Sequence, residues 1–163
     1  MSQQPTFSLF PIGTVHASAD GFCLEIKPEY RAALKGLEGF STLNVIWWAH
    51  LLDNEPCRAI VECDQPYQKA PAKLGIFATR SPVRPNPVAV TPVTILSIDY
   101  ERGMIYIPYI DAEDGTPLID LKPYQPCTDR VREVRVPEWC RHWPQWVEDS
   151  GTFDWAAEFV NAR

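Results

Sequence analysis

No GxG occurs anywhere in the 163 residues. The dinucleotide-type glycine loop and the phosphate-cradling loop are therefore both absent, and any nucleotide-like ligand must be held in another way. No CxxC pair occurs either. The five cysteines (Cys23, Cys57, Cys63, Cys127 and Cys140) are odd in number, so neither a disulfide framework nor a zinc site is indicated. There is no apolar run of membrane-spanning length and no basic-then-apolar leader, so the expectation is a cytoplasmic chain without membrane contact. Positive charge is not in excess. A formal charge of −6 argues against nonspecific coating of nucleic acid, yet leaves room for a local basic patch. Glycine is scarce, eight against sixteen prolines, and 45% of residues are hydrophobic, which describes a loop-rich globular chain. A chain of this length is one domain, or one domain with a terminal appendage, burying roughly 70% of its unfolded surface.

Short strands dominate the pattern. Phe7 to Val15 reads as an edge or bulged strand, because it contains Pro11 and Gly13. Phe22, Leu24 and Ile26 alternate with polar or small residues behind an Asp20-Gly21 turn, which predicts a hairpin. Pro28 opens a short helix that stops by Gly36. Thr42 to Leu52 is the most apolar run and predicts a central strand with His50 at its end. That histidine is either a hydrogen-bonded structural residue or a binding group at a strand end. Arg58 to Cys63, Val93 to Ile98, Met104 to Ile110 and Leu118 to Leu121 complete the strands. With no βαβ rhythm, the fold expected is mostly β: a small β-barrel with short peripheral helices.

The chain is organised around Gly75 to Pro92. An apolar, strand-like run (Ile76 to Thr79) breaks into a segment with prolines at 82, 85 and 87, then returns to Val88 and Val90. Proline fixes φ and removes a donor, so the middle is a rigid extended loop, carrying Arg80, Arg84 and Asn86. Guanidiniums on a preordered backbone suit anionic or planar polar groups; the plainer reading is a solvated crossover. Four carboxylates (Asp111, Glu113, Asp114 and Asp120) lie within ten residues. They are either a solvated acidic turn or are matched to donors, with Arg80 and Arg84 the obvious partners. Beyond Cys127, Arg130, Arg132 and Arg135 alternate with valines, as on an exposed edge strand or arm. Trp139, Trp143, Trp146 and Trp155 follow; such density predicts packing on the domain or on a partner subunit. Residues 150–162 read as a last short helix. Two segments result, a barrel domain over 1–126 and a Trp-rich arm over 127–163.

Three stretches together resemble a known family. Gly75-Ile-Phe-Ala-Thr-Arg-Ser-Pro with Arg84-Pro-Asn-Pro, Asp114-Gly-Thr-Pro through Asp120-Leu-Lys-Pro-Tyr124, and Gly36-Leu-Glu-Gly-Phe-Ser leading to His50 are similar to signatures of the TsaA-like (YaeB) family, the tRNA methyltransferase O group. Pro11-Ile-Gly-Thr-Val is similar to its opening strand. The resemblance implies a six-stranded β-barrel, a homodimer, S-adenosylmethionine bound without a Rossmann domain, and methylation of threonylcarbamoyl-adenosine beside the anticodon of tRNA. It implies cofactor contacts at His50, Leu51, Arg80, Val90, Asp111, Ala112, Glu113 and Asp114. The sequence departs from the family between its first two strands, where only His16 to Asp20 stands in place of a longer loop. Ala89 and Thr91 replace the usual glycine and serine.

Methyl transfer needs alignment of donor and acceptor and, for a carbamoylated amine, loss of a proton. Asp120 is the candidate base, with Lys122 and Tyr124 orienting the acceptor; alternatively Asp120 pairs with Lys122 or a barrel arginine and never meets substrate. Lys69, Lys73, Arg84, Asn86, Arg130, Arg132 and Arg135 are the candidate RNA contacts. Two classes of function stand: a methyltransferase acting on modified tRNA, or a non-catalytic module that binds S-adenosylmethionine or serves as a dimeric adaptor.

Overall fold

The computed structural model describes residues 7–161. It divides into two compact units, residues 1–50 with 88–124, and residues 51–87 with 125–163. The first unit is an antiparallel sheet of seven strands: β1 (Gly13–Ser18), β2 (Gly21–Ile26), β3 (Thr42–Trp48), β6 (Val88–Thr94), β7 (Ser97–Asp99), β8 (Met104–Ile107) and β9 (Thr116–Pro123). The remaining strands, β4 (Glu62–Asp64) and β5 (Lys73–Gly75), pair with each other in the second unit.

Alternation produces the large sheet's inner face. Val15, Leu24, Ile26, Leu43, Val45, Ile105 and Leu118 are at most 2% exposed and form one cluster with Leu34 and Ile110. The odd and even positions of each strand face opposite ways, so a single register buries all of them. Gly13 is required where β1 crosses β2, since a Cβ there would stand 2.0 Å from the Glu25 carbonyl oxygen. Between β3 and β9 the register shifts at Ile46/Trp47, so that Ile46 faces Asp120 and Trp47 faces Leu118. The bulge leaves Ile119 unpaired and returns both Trp47 and Leu118 to the core.

The barrel expected from the sequence is corrected. Strand order is β6-β3-β9-β1-β2-β8-β7, and the edge strands β6 and β7 do not pair. Yet only Ile95 and Leu96 separate them, the first donating to Ser41 O at 2.8 Å and the second to Tyr106 O at 2.9 Å. A two-residue link spans roughly 10 Å, so the sheet curls until its edges approach at one end and stays open elsewhere. Pro92 in β6 lacks a ladder donor, and β7 has three residues, which is edge-strand chemistry.

Further elements differ from expectation. The first strand begins at Gly13 rather than Phe7, and residues 7–10 are exposed. Arg58 ends a short helix, α1 (Glu55–Arg58), instead of opening a strand, because Asn54 Oδ1 accepts from Cys57 N at 3.0 Å and Pro56 suits the first turn. Ile76–Ala78 is a 3₁₀ turn, closed where Thr79 N and Oγ1 both donate to Ile76 O at 3.1 and 2.8 Å. The Arg130 to Val136 stretch forms no strand and is exposed throughout. The final helix is two short pieces, a 3₁₀ segment (Val147–Thr152) and an α-helix (Trp155–Glu158); Ala162 lies outside the described residues.

In the second unit the tryptophans do pack, around Tyr67. Trp139 stacks on Tyr67 at 5.5 Å, Trp143 meets it edge-on at 4.8 Å, and Trp155 contacts Trp143 at 5.5 Å. Trp146 is the exception, 64% exposed.

Candidate functional site

The cofactor residues named from the sequence fall on both units. In the sheet unit, His50 opens a 3₁₀ turn one residue beyond β3, and its Nδ1 lies 3.5 Å from the hydroxyl of the buried Thr116. Thr116 is the first residue of β9 and follows the acidic turn, so His50 and Asp111–Asp114 are brought to one end of the sheet. The turn is shaped by Gly115, at φ +78°, whose N–H donates to Val15 O at 2.9 Å. Ala112 packs against the core, while Asp111, Glu113 and Asp114 face solvent. Val90 lies on β6 opposite Ile46, with 41% of its surface exposed.

The proposed catalytic residues share that outer face. Val90, Ile46 and Asp120 form one cross-strand row over β6, β3 and β9. Two interstrand spacings put Val90 and Asp120 roughly 10 Å apart. Asp120 Oδ2 is 2.8 Å from Lys122 Nζ, and its Oδ1 accepts from Leu121 N at 2.9 Å. The hydrogen bond to Asp120 and its negative charge raise the Lys122 ammonium above its usual pKa. Tyr124, just beyond β9, is half-buried and held by its N–H to Thr42 O at 2.9 Å.

In the second unit, Leu51 is 65% exposed and Arg80 is exposed just after the 3₁₀ turn. Residues 79–87 form an irregular loop, as their prolines require. Arg84 is half-buried, and its Nη1 donates to the carbonyls of Thr79 and Ser81, both at 3.3 Å. That guanidinium thus helps to hold the loop in shape. Arg58 donates from Nη1 to Pro85 O at 3.2 Å and braces the same loop. Asn86, Lys69 and Lys73 are exposed. Arg130 and Arg132 stand on the exposed stretch, and Arg135 lines a surface cavity of about 350 Å³ with Val134, Val136, Arg141 and Gln145.

Sequence reasoning missed His16 as a partner of the acidic turn. Its Nε2 is 2.8 Å from Glu25 Oε2 and its Nδ1 is 3.8 Å from Asp114 Oδ1, the same oxygen that accepts from Ala17 N at 3.0 Å. Cys23 lies directly across the hairpin from His16; burial, then the charges of Glu25 and Asp114, push its thiol pKa up. The short β1–β2 hairpin thus latches the acidic turn with one amide and one imidazole. A hint was available in sequence, since His16 alternates with the buried Val15 and so faces outwards beside Glu25. A further surface cavity, about 360 Å³, is lined by Glu25, Arg31, Glu101, Arg102, Met104 and Tyr106, none of them among the named site residues. Arg31 there donates to Ile26 O and Glu101 O, which makes it a structural brace. No cluster of three or more His, Cys, Asp or Glu among the described residues could hold a metal ion. Among them, too, no helix is long and apolar enough to cross a membrane.

This architecture and donor set define a class: an antiparallel-sheet domain without a Rossmann unit, with an acidic turn and a histidine at one sheet end and a proline-locked arginine loop. Residues 2–130 match the tRNA-methyltransferase O N-terminal domain. The chain is 36% identical over 127 residues to a probable S-adenosyl-L-methionine-binding protein of Pyrococcus horikoshii, covering 78% of this chain and 89% of that one. It is 37% identical over 121 residues to the human tRNA (adenine(37)-N6)-methyltransferase, covering 71% of this chain and 26% of the human protein. The crystal structure of TrmO from Pseudomonas aeruginosa superposes with a TM-score of 0.61 at 28% identity, over 80% of this chain and 62% of that one. The chain belongs to the tRNA-methyltransferase O N-terminal domain family.

Proposed function

We propose that the protein binds S-adenosylmethionine and transfers its methyl group to the exocyclic amine of threonylcarbamoyl-adenosine beside the anticodon of tRNA. The observation that carries this reading is the family match across residues 2–130, beside the 37% identity to a human protein named tRNA (adenine(37)-N6)-methyltransferase. The donor set fits the cofactor. Carboxylates at Asp111, Glu113 and Asp114 suit an ammonium group and ribose hydroxyls, the exposed face of Val90 suits a flat base, and Arg80 suits a carboxylate. Leu51 and Ala112 supply apolar and backbone contact.

When bound, the cofactor supplies an electrophilic methyl group. The chain's task is then to hold the acceptor amine in line, exclude water and take up the amine's proton. Asp120 is the proposed base, with Lys122 and Tyr124 positioning the acceptor. Asp120 is paired to Lys122 at 2.8 Å; turning Lys122 onto the acceptor's own carboxylate would free Asp120 to meet the amine. Lys69, Lys73, Arg84, Asn86, Arg130, Arg132 and Arg135 are the proposed RNA contacts, and a homodimer is the proposed assembly. The same Asp120–Lys122 pair favours a second reading, a module that binds the cofactor without catalysis.

Calorimetric titration of S-adenosylmethionine into the wild type and Arg80→Ala, with circular dichroism to verify folding, tests the first step. Binding of about −8 kcal/mol, or micromolar Kd, that is lost in the variant is expected. Absence of binding to the folded wild type would refute the cofactor assignment. Transfer of labelled methyl to threonylcarbamoylated tRNA then separates enzyme from module.

A further inference from the structure

We propose that the ring of Phe77 is a stacking platform for an unpaired base of the RNA, a subsite that rests on the tRNA reading above. An apolar strand would half-bury this residue. The 3₁₀ turn instead sends Ile76 inwards, at 2% exposure, and leaves Phe77 79% exposed. The ring thus presents a large apolar face to solvent. Three features make the ring a defined surface rather than a loose side chain. The turn beneath it is closed twice by Thr79, through N–H and hydroxyl. The guanidinium of Arg84 stands 5.8 Å from the ring centroid. That guanidinium is itself fixed by the Thr79 and Ser81 carbonyls, within a loop stiffened by three prolines.

The pairing of an exposed ring with a fixed cation fits a nucleotide, whose base stacks on an aromatic face while its phosphate meets the guanidinium. The apolar surface continues alongside, since Ile76 N donates to Val61 O at 2.9 Å and Val61 is 64% exposed. Stacking of this kind is indifferent to base identity and requires an unpaired base, as in a loop, because bases within a duplex are already stacked.

The test is fluorescence anisotropy of an anticodon stem-loop RNA bound by the full chain, comparing wild type with Phe77→Ala, Phe77→Leu and Phe77→Trp. Loss of stacking should weaken binding roughly 5- to 150-fold in the Ala and Leu variants. The Trp variant should stay close to wild type, and S-adenosylmethionine affinity and Tm should not move. Equal RNA affinity for wild type and Phe77→Ala overturns the proposal while leaving the tRNA reading intact. A changed sedimentation coefficient of RNA-free Phe77→Ala also overturns it, by assigning the ring to a contact between copies of the chain. If the folded wild type binds no RNA, the tRNA reading falls and the subsite falls with it.

Discussion

Glu158→Gln offers the sharpest test of how the aromatic arm is held. Glu158 is only 6% exposed, and its Oε2 lies 2.9 Å from His142 Nε2. Burial alone would raise its carboxyl pKa. The His142 hydrogen bond, followed by the Trp143 indole N–H and the charges of His142 and Lys69, outweighs that and holds it below the usual value. Trp143 Nε1 and Glu158 Oε1 are both buried and fall outside hydrogen-bond geometry. A folded-state pKa below the unfolded one means stability that is present above the unfolded pKa, roughly 4.3. That stability is lost as pH falls through the folded value. Glutamine keeps the shape and loses the charge, so the cost is that of a charge-assisted hydrogen bond, about 1.5–3 kcal/mol at pH 7. For a chain of this length that lowers Tm by roughly 3–12 °C. Four of the six tryptophans lie in residues 139–155, so urea unfolding followed by tryptophan fluorescence reads this region directly. The midpoints of variant and wild type should differ at pH 7, and the gap should narrow once pH falls below the unfolded value and close below the folded one. Coincident midpoints at pH 7, or a gap that does not narrow as the solution is acidified, would refute this account.

Three other predictions concern the sheet and the RNA face. Gly13→Ala places a Cβ 2.0 Å from the Glu25 carbonyl oxygen, a backbone atom that cannot step aside without parting β1 from β2. Destabilisation above the 1–3 kcal/mol usual for overpacking, or failure to accumulate as soluble protein, is expected in thermal denaturation. Asp120→Asn removes the proposed base and the Lys122 ion pair together; because that pair is exposed, Tm should change little. Its methyl-transfer rate should fall about 100-fold or more, and full activity in the folded variant rules out the base assignment. Neutralising Arg130, Arg132 and Arg135 together should lower the slope of log K against log salt for RNA by about 3; an unchanged slope removes that patch from the interface.

Much of the fold could be read from residue order because its causes are local. Alternation at Phe22, Leu24 and Ile26 sets a strand and its buried face, Asp20-Gly21 sets a hairpin, and the prolines at 82, 85 and 87 forbid regular structure. The signature motifs fixed the family, and four tryptophans in a short span required a packed cluster. Even the helix at Glu55–Arg58 carried a local signal, Asn54 before Glu55-Pro56, which the apolar pull of Ala59 to Val61 obscured. Where sequence reading failed, the competing states differ by contacts between distant residues. Ile76–Thr79 suits a strand by composition, and one threonine hydroxyl reaching back to Ile76 O closes it as a turn, which exposes Phe77. Whether seven strands close into a barrel depends on two edges meeting in space, which no single strand's residues encode. Likewise His16 and Asp114 are 98 residues apart, and only the β1–β9 pairing beside the β1–β2 hairpin brings imidazole and carboxylate within 3.8 Å. The residues themselves fixed which segments could be strands, turns and loops; tertiary packing decided which charges meet, because pairing at long range follows from register and curvature rather than from local preference.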